Sequence, residues 1–230
     1  MTQKQDIFGL MNGAVQMWRS FYNPTSDAVW LAAAAPHGAQ TVLDVGVGTG
    51  AVALCWMARH IDARVTGVDI STDMLDVAAR NATLNGRDLE LIATDIFSWR
   101  TARTFDLVMT NPPYFQGTAA RHNAHHNVDL GAWTRAAAAR VRPGGTLCTI
   151  VDAGALHRVL DGLGGHFGGI QIFPLRGGGK QACAERVIIR AKNGSAAPDA
   201  LYPALDMGDT RILRDGLTLD DILATLGADD

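Results

Sequence analysis

The chain has 230 residues, 47% of them hydrophobic, which is enough apolar sequence to bury the core of one domain without a metal or a disulfide. Its formal net charge of −3 argues against tight, sequence-independent binding to nucleic acid. No run approaches the roughly 18 apolar residues of a membrane span, no leader pattern begins the chain, and the three cysteines lack C-x-x-C spacing, so we predict one cytoplasmic domain.

Short apolar runs alternate with helical stretches along most of the chain. Strands are predicted near 41–45, 64–69, 89–93, 105–110, 145–151, 169–174 and 186–191, and helices near 26–35, 51–60, 72–84, 130–140 and 154–164. This alternation predicts an α/β fold with a doubly wound, mostly parallel, seven-stranded sheet. The loop between the last two strands is too short for a parallel crossover, so the last strand is predicted to be antiparallel.

A glycine-rich turn follows the first predicted strand. Gly46, Gly48 and Gly50 lie between that strand and an apolar helix that begins at Ala51. Glycines let the backbone approach a ligand, and the free amides of the helix N-terminus face the ligand's polar end. Gly46, Gly48 and Ala51 also satisfy the dinucleotide fingerprint, which by itself does not identify the cofactor.

Acidic residues at the ends of the first two strands separate the possible cofactors. Asp44, two residues before the first glycine, would repel a pyrophosphate. S-adenosylmethionine carries no phosphate but has an ammonium and a sulfonium, which a carboxylate favours directly or through water. Asp69, followed by Ile70, is placed to bind the ribose hydroxyls of either cofactor. We therefore predict S-adenosyl-L-methionine, with S-adenosyl-L-homocysteine as its product.

A further segment, at the end of the third predicted strand, adds to the predicted cofactor site. The third strand ends at Asp95 and Ile96, where Asp95 can accept from an adenine amino group and Ile96 can cover the ring; an ordinary loop aspartate is the alternative. The predicted cofactor-binding residues are therefore Asp44, Gly46, Gly48, Gly50, Asp69, Ile70, Asp95 and Ile96, together with Asn111, which follows the fourth predicted strand.

The fourth predicted strand ends in Asn111-Pro112-Pro113-Tyr114. The prolines stiffen the segment and leave carbonyls free to accept hydrogen bonds. The Asn111 side-chain oxygen and the Pro112 carbonyl can each accept one proton of a planar amino group, and Tyr114 offers an aromatic face for stacking. The alternative is a rigid turn with no chemical role.

In this order, the motifs resemble the class I S-adenosylmethionine-dependent methyltransferases that modify exocyclic or amide nitrogens. Residues 24–34 are similar to the helix before the glycine turn in the bacterial tRNA(Val) adenine-37 N6-methyltransferase family, and similarity extends over most of residues 15–205. Members of that family usually carry a Tyr-Arg pair before this helix, whereas here Tyr22 is followed by Asn23.

The resemblance implies an N6-adenine methyltransferase that acts on RNA, with tRNA as the expected substrate. Asn111, Pro112, Pro113 and Tyr114 are its expected catalytic residues. The single domain, residues 1–230, would comprise an N-terminal segment (1–24), a catalytic core (25–195) and an acidic C-terminal extension (196–230). A protein glutamine methyltransferase or another exocyclic-amine methyltransferase is the main alternative, while an NAD-dependent dehydrogenase and a non-catalytic cofactor-binding module are remote ones.

Charge is distributed unevenly along the chain. Residues 140–192 hold eight Arg or Lys and three acids, whereas residues 199–230 hold eight acids and two Arg. We predict a basic RNA-binding face, with ordinary surface charges as the alternative. Its members would be Arg176, Lys180, Arg186 and Lys192. No metal is expected, because His122, His125 and His126 have no neighbouring cysteine or acid to complete a ligand set.

Overall fold

The computed structural model describes residues 6–113, 128–177 and 183–226. Tyr114, Lys180 and the three histidines at 122, 125 and 126 therefore lie outside the described residues. The strands are β1 Ile7–Leu10, β2 Val15–Trp18, β3 Thr41–Val45, β4 Arg64–Asp69, β5 Leu89–Ala93, β6 Phe105–Thr110, β7 Val141–Asp152, β8 Phe167–Arg176, β9 Arg186–Asn193, β10 Ala200–Leu201 and β11 Leu205–Asp206. The helices are α1 Ser26–Ala34, α2 Ala51–Met57, α3 Thr72–Leu84, α4 Leu130–Ala138, α5 Leu156–Leu163, α6 Thr210–Leu213 and α7 Leu219–Leu226.

The main sheet has the order β10-β8-β9-β7-β6-β3-β4-β5, and β11 also pairs with β8. All pairs from β7 through β6, β3 and β4 to β5 are parallel. Strand β9 lies between β7 and β8 and is antiparallel to both. The predicted α/β fold, its seven strands and the antiparallel last strand are thus confirmed. The two-residue strands β10 and β11 extend the sheet beyond the predicted seven.

The described chain also contains a hairpin that the sequence did not predict. Strands β1 and β2 pair antiparallel with each other and form a separate two-stranded sheet. Val15 and Met17 are buried, while Gln16 between them is exposed, as alternation along a strand requires. This hairpin joins the core through Met11, Val15 and Met17.

Alternate residues of the parallel strands pack into two hydrophobic clusters on opposite faces of the sheet. Val42 packs with the cluster that contains α1 and α2, whereas Leu43 and Val45 pack with α4 and α5. Large, fully buried side chains such as Trp30 and Trp56 fill the first cluster. No helix among the described residues is both long and apolar enough to cross a membrane.

The predicted acidic extension is packed onto the core along most of its described length. Strands β10 and β11 add to β8, and Ile212, Leu219 and Ile222 are buried in the first cluster. Helix α7 begins after Thr218, whose hydroxyl accepts from the Asp221 amide while the Asp221 carboxylate accepts from the Thr218 amide. This reciprocal capping explains where the helix starts.

Candidate cofactor and acceptor site

The carboxyl ends of β3, β4, β5 and β6 bring most of the predicted site residues to one edge of the sheet. Strand β3 lies between β4 and β6, and β4 pairs with β5. The glycine turn follows β3, Asp69 ends β4, Asp95 follows β5 and Asn111 follows β6. In open α/β sheets this edge is where ligands bind.

The glycine turn has the conformation that its sequence requires. Gly46, Gly48 and Gly50 have φ values of 72°, 52° and 86°, in the region where a side chain is strained. The amides of Gly46 and Val47 both donate to the Val68 carbonyl of β4, at 2.9 and 3.0 Å. A Cβ at Gly46 would also lie 3.2 Å from the Trp133 ring.

Asp69 fastens this turn to β4. One of its carboxylate oxygens accepts from the Gly48 amide and the other from the Ser71 amide, both at 2.9 Å. The carboxylate is only partly buried, and each of its oxygens has capacity for a further hydrogen bond. Asp69 can therefore hold the turn and still accept from ribose hydroxyls.

Asp44, in β3, places a buried carboxylate against the first turn of α2. Its side chain is 1% exposed in the folded chain and accepts from the Ala53 amide at 3.1 Å. Burial raises the pKa of Asp44 to about 7; the Ala53 hydrogen bond opposes the rise and the charge of Asp69 adds to it. A cationic ligand group beside Asp44 would favour the ionised form, so the site suits an ammonium.

Two apolar side chains are exposed near Asp95, of which Ile70 was predicted and Phe97 was not. Ile96 is 4% exposed and belongs to the cluster beneath α4 and α5. Phe97, which the sequence did not identify, is 48% exposed, and Ile70 is 58% exposed. Phe97 meets Trp133 edge to face, with ring centroids 6.0 Å apart. These exposed side chains are available to a flat ring at this edge.

A hydrogen-bonded chain anchors the start of the Asn-Pro-Pro segment. Thr110, which is 2% exposed, donates to the Val45 carbonyl at 2.8 Å and accepts from the Trp133 indole at 3.0 Å. Val45 and Thr110 are paired at the ends of their strands, so the glycine turn and the Asn-Pro-Pro segment both begin directly after this pair. Trp133 was missed because only the fold brings α4 to this turn.

Among the described members of the predicted basic face, Arg176 and Arg186 lie at neighbouring positions of β8 and β9, whereas Lys192 is separated from them. Lys192 lies about 20 Å along β9 from Arg186, at the amino end of β8, because β9 is antiparallel to β8. Arg186 binds Asp27 at 3.1 Å and Asp152 at 3.4 Å, so it joins α1 to the sheet. Arg176 is exposed at the carboxyl end of β8 and stays a candidate for RNA contact.

Metal binding has no support in the described part of the chain. No group of three or more His, Cys, Asp or Glu side chains among these residues is placed to hold an ion.

Comparison with known proteins places this fold. The methyltransferase small domain family matches residues 27–175. A tRNA1(Val) (adenine(37)-N6)-methyltransferase from Glaesserella parasuis is 27% identical over 135 residues, which are 55% of this chain and 57% of the relative. A release factor glutamine methyltransferase from Deinococcus radiodurans is 35% identical over 127 residues, 48% of this chain and 45% of the relative. The chain thus spans about half the length of these curated relatives.

Solved structures agree with this assignment. The crystal structure of a predicted O-methyltransferase from Agrobacterium tumefaciens has a TM-score of 0.67 at 25% identity, covering 84% of this chain and 97% of that chain. A T. thermophilus 16S rRNA N2 G1207 methyltransferase, solved with AdoMet and guanosine, has a TM-score of 0.58 at 21% identity, covering 81% of this chain and 49% of that one. It shows the same fold.

The residues present fit S-adenosylmethionine. Asp69 keeps acceptor capacity for ribose hydroxyls, a ligand cation beside the turn would stabilise the ionised form of Asp44, and Gly46, Gly48 and Gly50 place no side chain on the turn. This cofactor supplies a methyl group bonded to a positively charged sulfur. Since the family match covers more than half of the chain and the fold agrees, the chain belongs to the methyltransferase small domain family, whose cofactor is S-adenosylmethionine.

Proposed function

We propose that this protein is an S-adenosylmethionine-dependent N-methyltransferase that methylates the exocyclic amino group of adenine in RNA, with tRNA as its substrate. The observation that carries the proposal is the position of the Asn-Pro-Pro segment. It begins directly after Thr110, which is paired with Val45 and hydrogen-bonded to it. Since the glycine turn follows Val45, the segment lies beside that turn.

In this proposal Asn111 and Pro112 orient the acceptor nitrogen. The Asn111 side-chain oxygen and the Pro112 carbonyl each accept one amino proton, which leaves the nitrogen lone pair directed away from both. These hydrogen bonds strengthen as the nitrogen loses conjugation with the ring, so they lower the barrier more than they tighten binding.

No general base is required of the chain. The amino group is weakly basic, and its proton becomes acidic only as the nitrogen gains a methyl group and a positive charge. The same two oxygens hold that proton until water removes it. Pro112 is buried and Asn111 is partly buried, so the segment shields the reacting nitrogen on one side.

The acceptor polymer is the less constrained part of the proposal. The similarity to tRNA adenine methyltransferases supports RNA. A protein glutamine is the second candidate, because its amide nitrogen is equally planar and because relatives that act on release factors reach 41% identity over 81 residues.

A competition experiment separates the two acceptors. The protein is incubated with methyl-labelled cofactor and equal amounts of tRNA lacking N6-methyladenine and of unmodified release factor. We expect the label in RNA, and we expect Asn111→Ala to lower it about a hundredfold. Label in the release factor would replace the first candidate with the second, and label in neither would contradict both.

A further inference from the structure

Asn81 is a fully buried asparagine in α3 that connects two parts of the molecule. Its exposed fraction is 0%, and its side-chain nitrogen donates to the Thr49 carbonyl at 2.9 Å. Its side-chain oxygen accepts from the Trp18 amide at 2.8 Å. One side chain thus binds both the glycine turn and the N-terminal hairpin, β1 to β2.

Asn85 holds the same hairpin one helical turn later. Its oxygen accepts from the Gln16 amide at 2.8 Å and its nitrogen donates to the Gln16 carbonyl at 2.7 Å. This is the pair of bonds that a neighbouring strand would make. Residues four apart lie on one face of a helix, so both asparagines meet β2, the strand of the hairpin that packs against α3.

The Thr49 carbonyl depends on Asn81 because α2 does not bind it in the usual way. The Ala53 amide, four residues further on, donates to Asp44, and the first regular helical bond joins Leu54 to Gly50. Thr49 is 3% exposed, so water is a poor substitute for the asparagine. Asparagine is also unfavourable inside a helix, so we attribute the asparagine at position 81 to these contacts.

We infer that Asn81 is a positioning residue through which docking of the N-terminal hairpin sets the geometry of the glycine turn and hence the affinity for the cofactor. The inference rests on the glycine turn being the cofactor site. Coupling between two sites is reciprocal, so cofactor binding should also hold the hairpin more firmly.

A double-mutant cycle tests the coupling in the full-length protein, with affinity for S-adenosylhomocysteine measured by calorimetry. Asn85→Ala removes hairpin contacts without touching the turn, and Asn81→Ala removes both links. We expect Asn81→Ala to weaken affinity roughly tenfold, the scale of one lost buried hydrogen bond. Asn85→Ala should weaken affinity in the wild-type background and change nothing further in Asn81→Ala.

Controls separate positioning from general damage. Thr83→Ala changes an exposed residue of the same helix, whose hydroxyl donates to the Ala79 carbonyl, and should leave affinity unchanged. If an alanine variant fails to fold, Asn81→Asp and Asn85→Asp repeat the cycle, since each keeps the acceptor for the hairpin amide and loses its donor.

Hydrogen exchange supplies a readout that simple destabilisation would not move. S-adenosylhomocysteine should slow exchange of the Gln16 and Trp18 amides in the wild type and in Thr83→Ala, but not in Asn81→Ala at saturating ligand. Additive effects in the cycle, or equal slowing in Asn81→Ala, would overturn the inference. Absence of any binding by the wild type would overturn the cofactor site itself, which is a distinguishable failure.

Discussion

Asn111 is the residue on which the proposed chemistry depends most. Replacing it with alanine removes an acceptor that acts mainly in the transition state. We expect kcat for methyl transfer to fall about a hundredfold, roughly 3 kcal/mol, with much less change in cofactor affinity. Single-turnover rates on purified tRNA and calorimetry with S-adenosylhomocysteine measure the two effects separately.

Asn193 provides the matched control for that variant. It is also a partly buried asparagine, but it lies at the opposite edge of the sheet, where its side chain donates to the Val141 carbonyl at 2.9 Å. Asn193→Ala should lower stability without lowering kcat. Near-normal turnover in Asn111→Ala would show that the Asn-Pro-Pro segment is a rigid turn with no chemical role.

The raised pKa of Asp44 predicts that cofactor affinity depends on pH. Its pKa is raised to about 7 in the folded chain, so the ionised form that pairs with an ammonium gains population as pH rises through that value. Affinity for S-adenosylhomocysteine should therefore rise toward about pH 7 and flatten above it, and Asp44→Asn should remove this rise. Identical pH profiles for both proteins would rule out the pairing.

The ionisation of Asp44 also affects the free energy of unfolding, which falls as pH rises, whereas cofactor affinity rises. Between the ordinary pKa of 3.8 and about 7, the folded state keeps a proton that the unfolded state has released. Its contribution to the free energy of unfolding is therefore complete at low pH and is lost as pH rises through about 7. Urea titrations of ligand-free wild type and Asp44→Asn should diverge over this interval.

The glycine turn is also shaped by its neighbour β4. A Cβ at Gly67 would lie 2.7 Å from Cγ2 of Val47, a residue inside the turn. Gly67→Ala should thus displace Val47, costing about 1 to 3 kcal/mol of stability and weakening cofactor affinity. Gly165→Ala is the control, since a Cβ there meets nothing within 4 Å. Equal cofactor affinities for the two variants would refute this role of Gly67.

Helix α1 is joined to β9 by the ion pair of Arg186 with Asp27, whose side chain is 7% exposed. Arg186→Gln removes a charged partner of that buried carboxylate, and we expect a loss of about 3 kcal/mol in urea denaturation. Arg176→Gln, at an exposed position, should change stability by less than about 0.5 kcal/mol. Comparable losses in both variants would contradict the assignment of Arg186 to the fold.

For the whole molecule, the sequence predicted what local pattern determines. Apolar runs such as Phe105–Thr110 became buried strands, and the site segments follow those strands at one edge as parallel topology requires. The two-residue strands β10 and β11 were missed because their partner strand, β8, lies far back along the chain. The hairpin Ile7–Trp18 pairs locally, but the contacts that hold it to α3 cross 63 and 69 residues. Trp133 and Asn81 were missed for the same reason, since their contacts cross 23 and 32 residues.

The most direct test of the whole account identifies the atom that receives the methyl group. Wild type and Asn111→Ala are incubated with tRNA and cofactor bearing a deuterated methyl group, and the RNA is digested for nucleoside mass spectrometry. We expect deuterated N6-methyladenosine from the wild type and about a hundredfold less from the variant. Deuterium on ribose, on another base, or on adenosine at equal levels with both proteins would contradict the account.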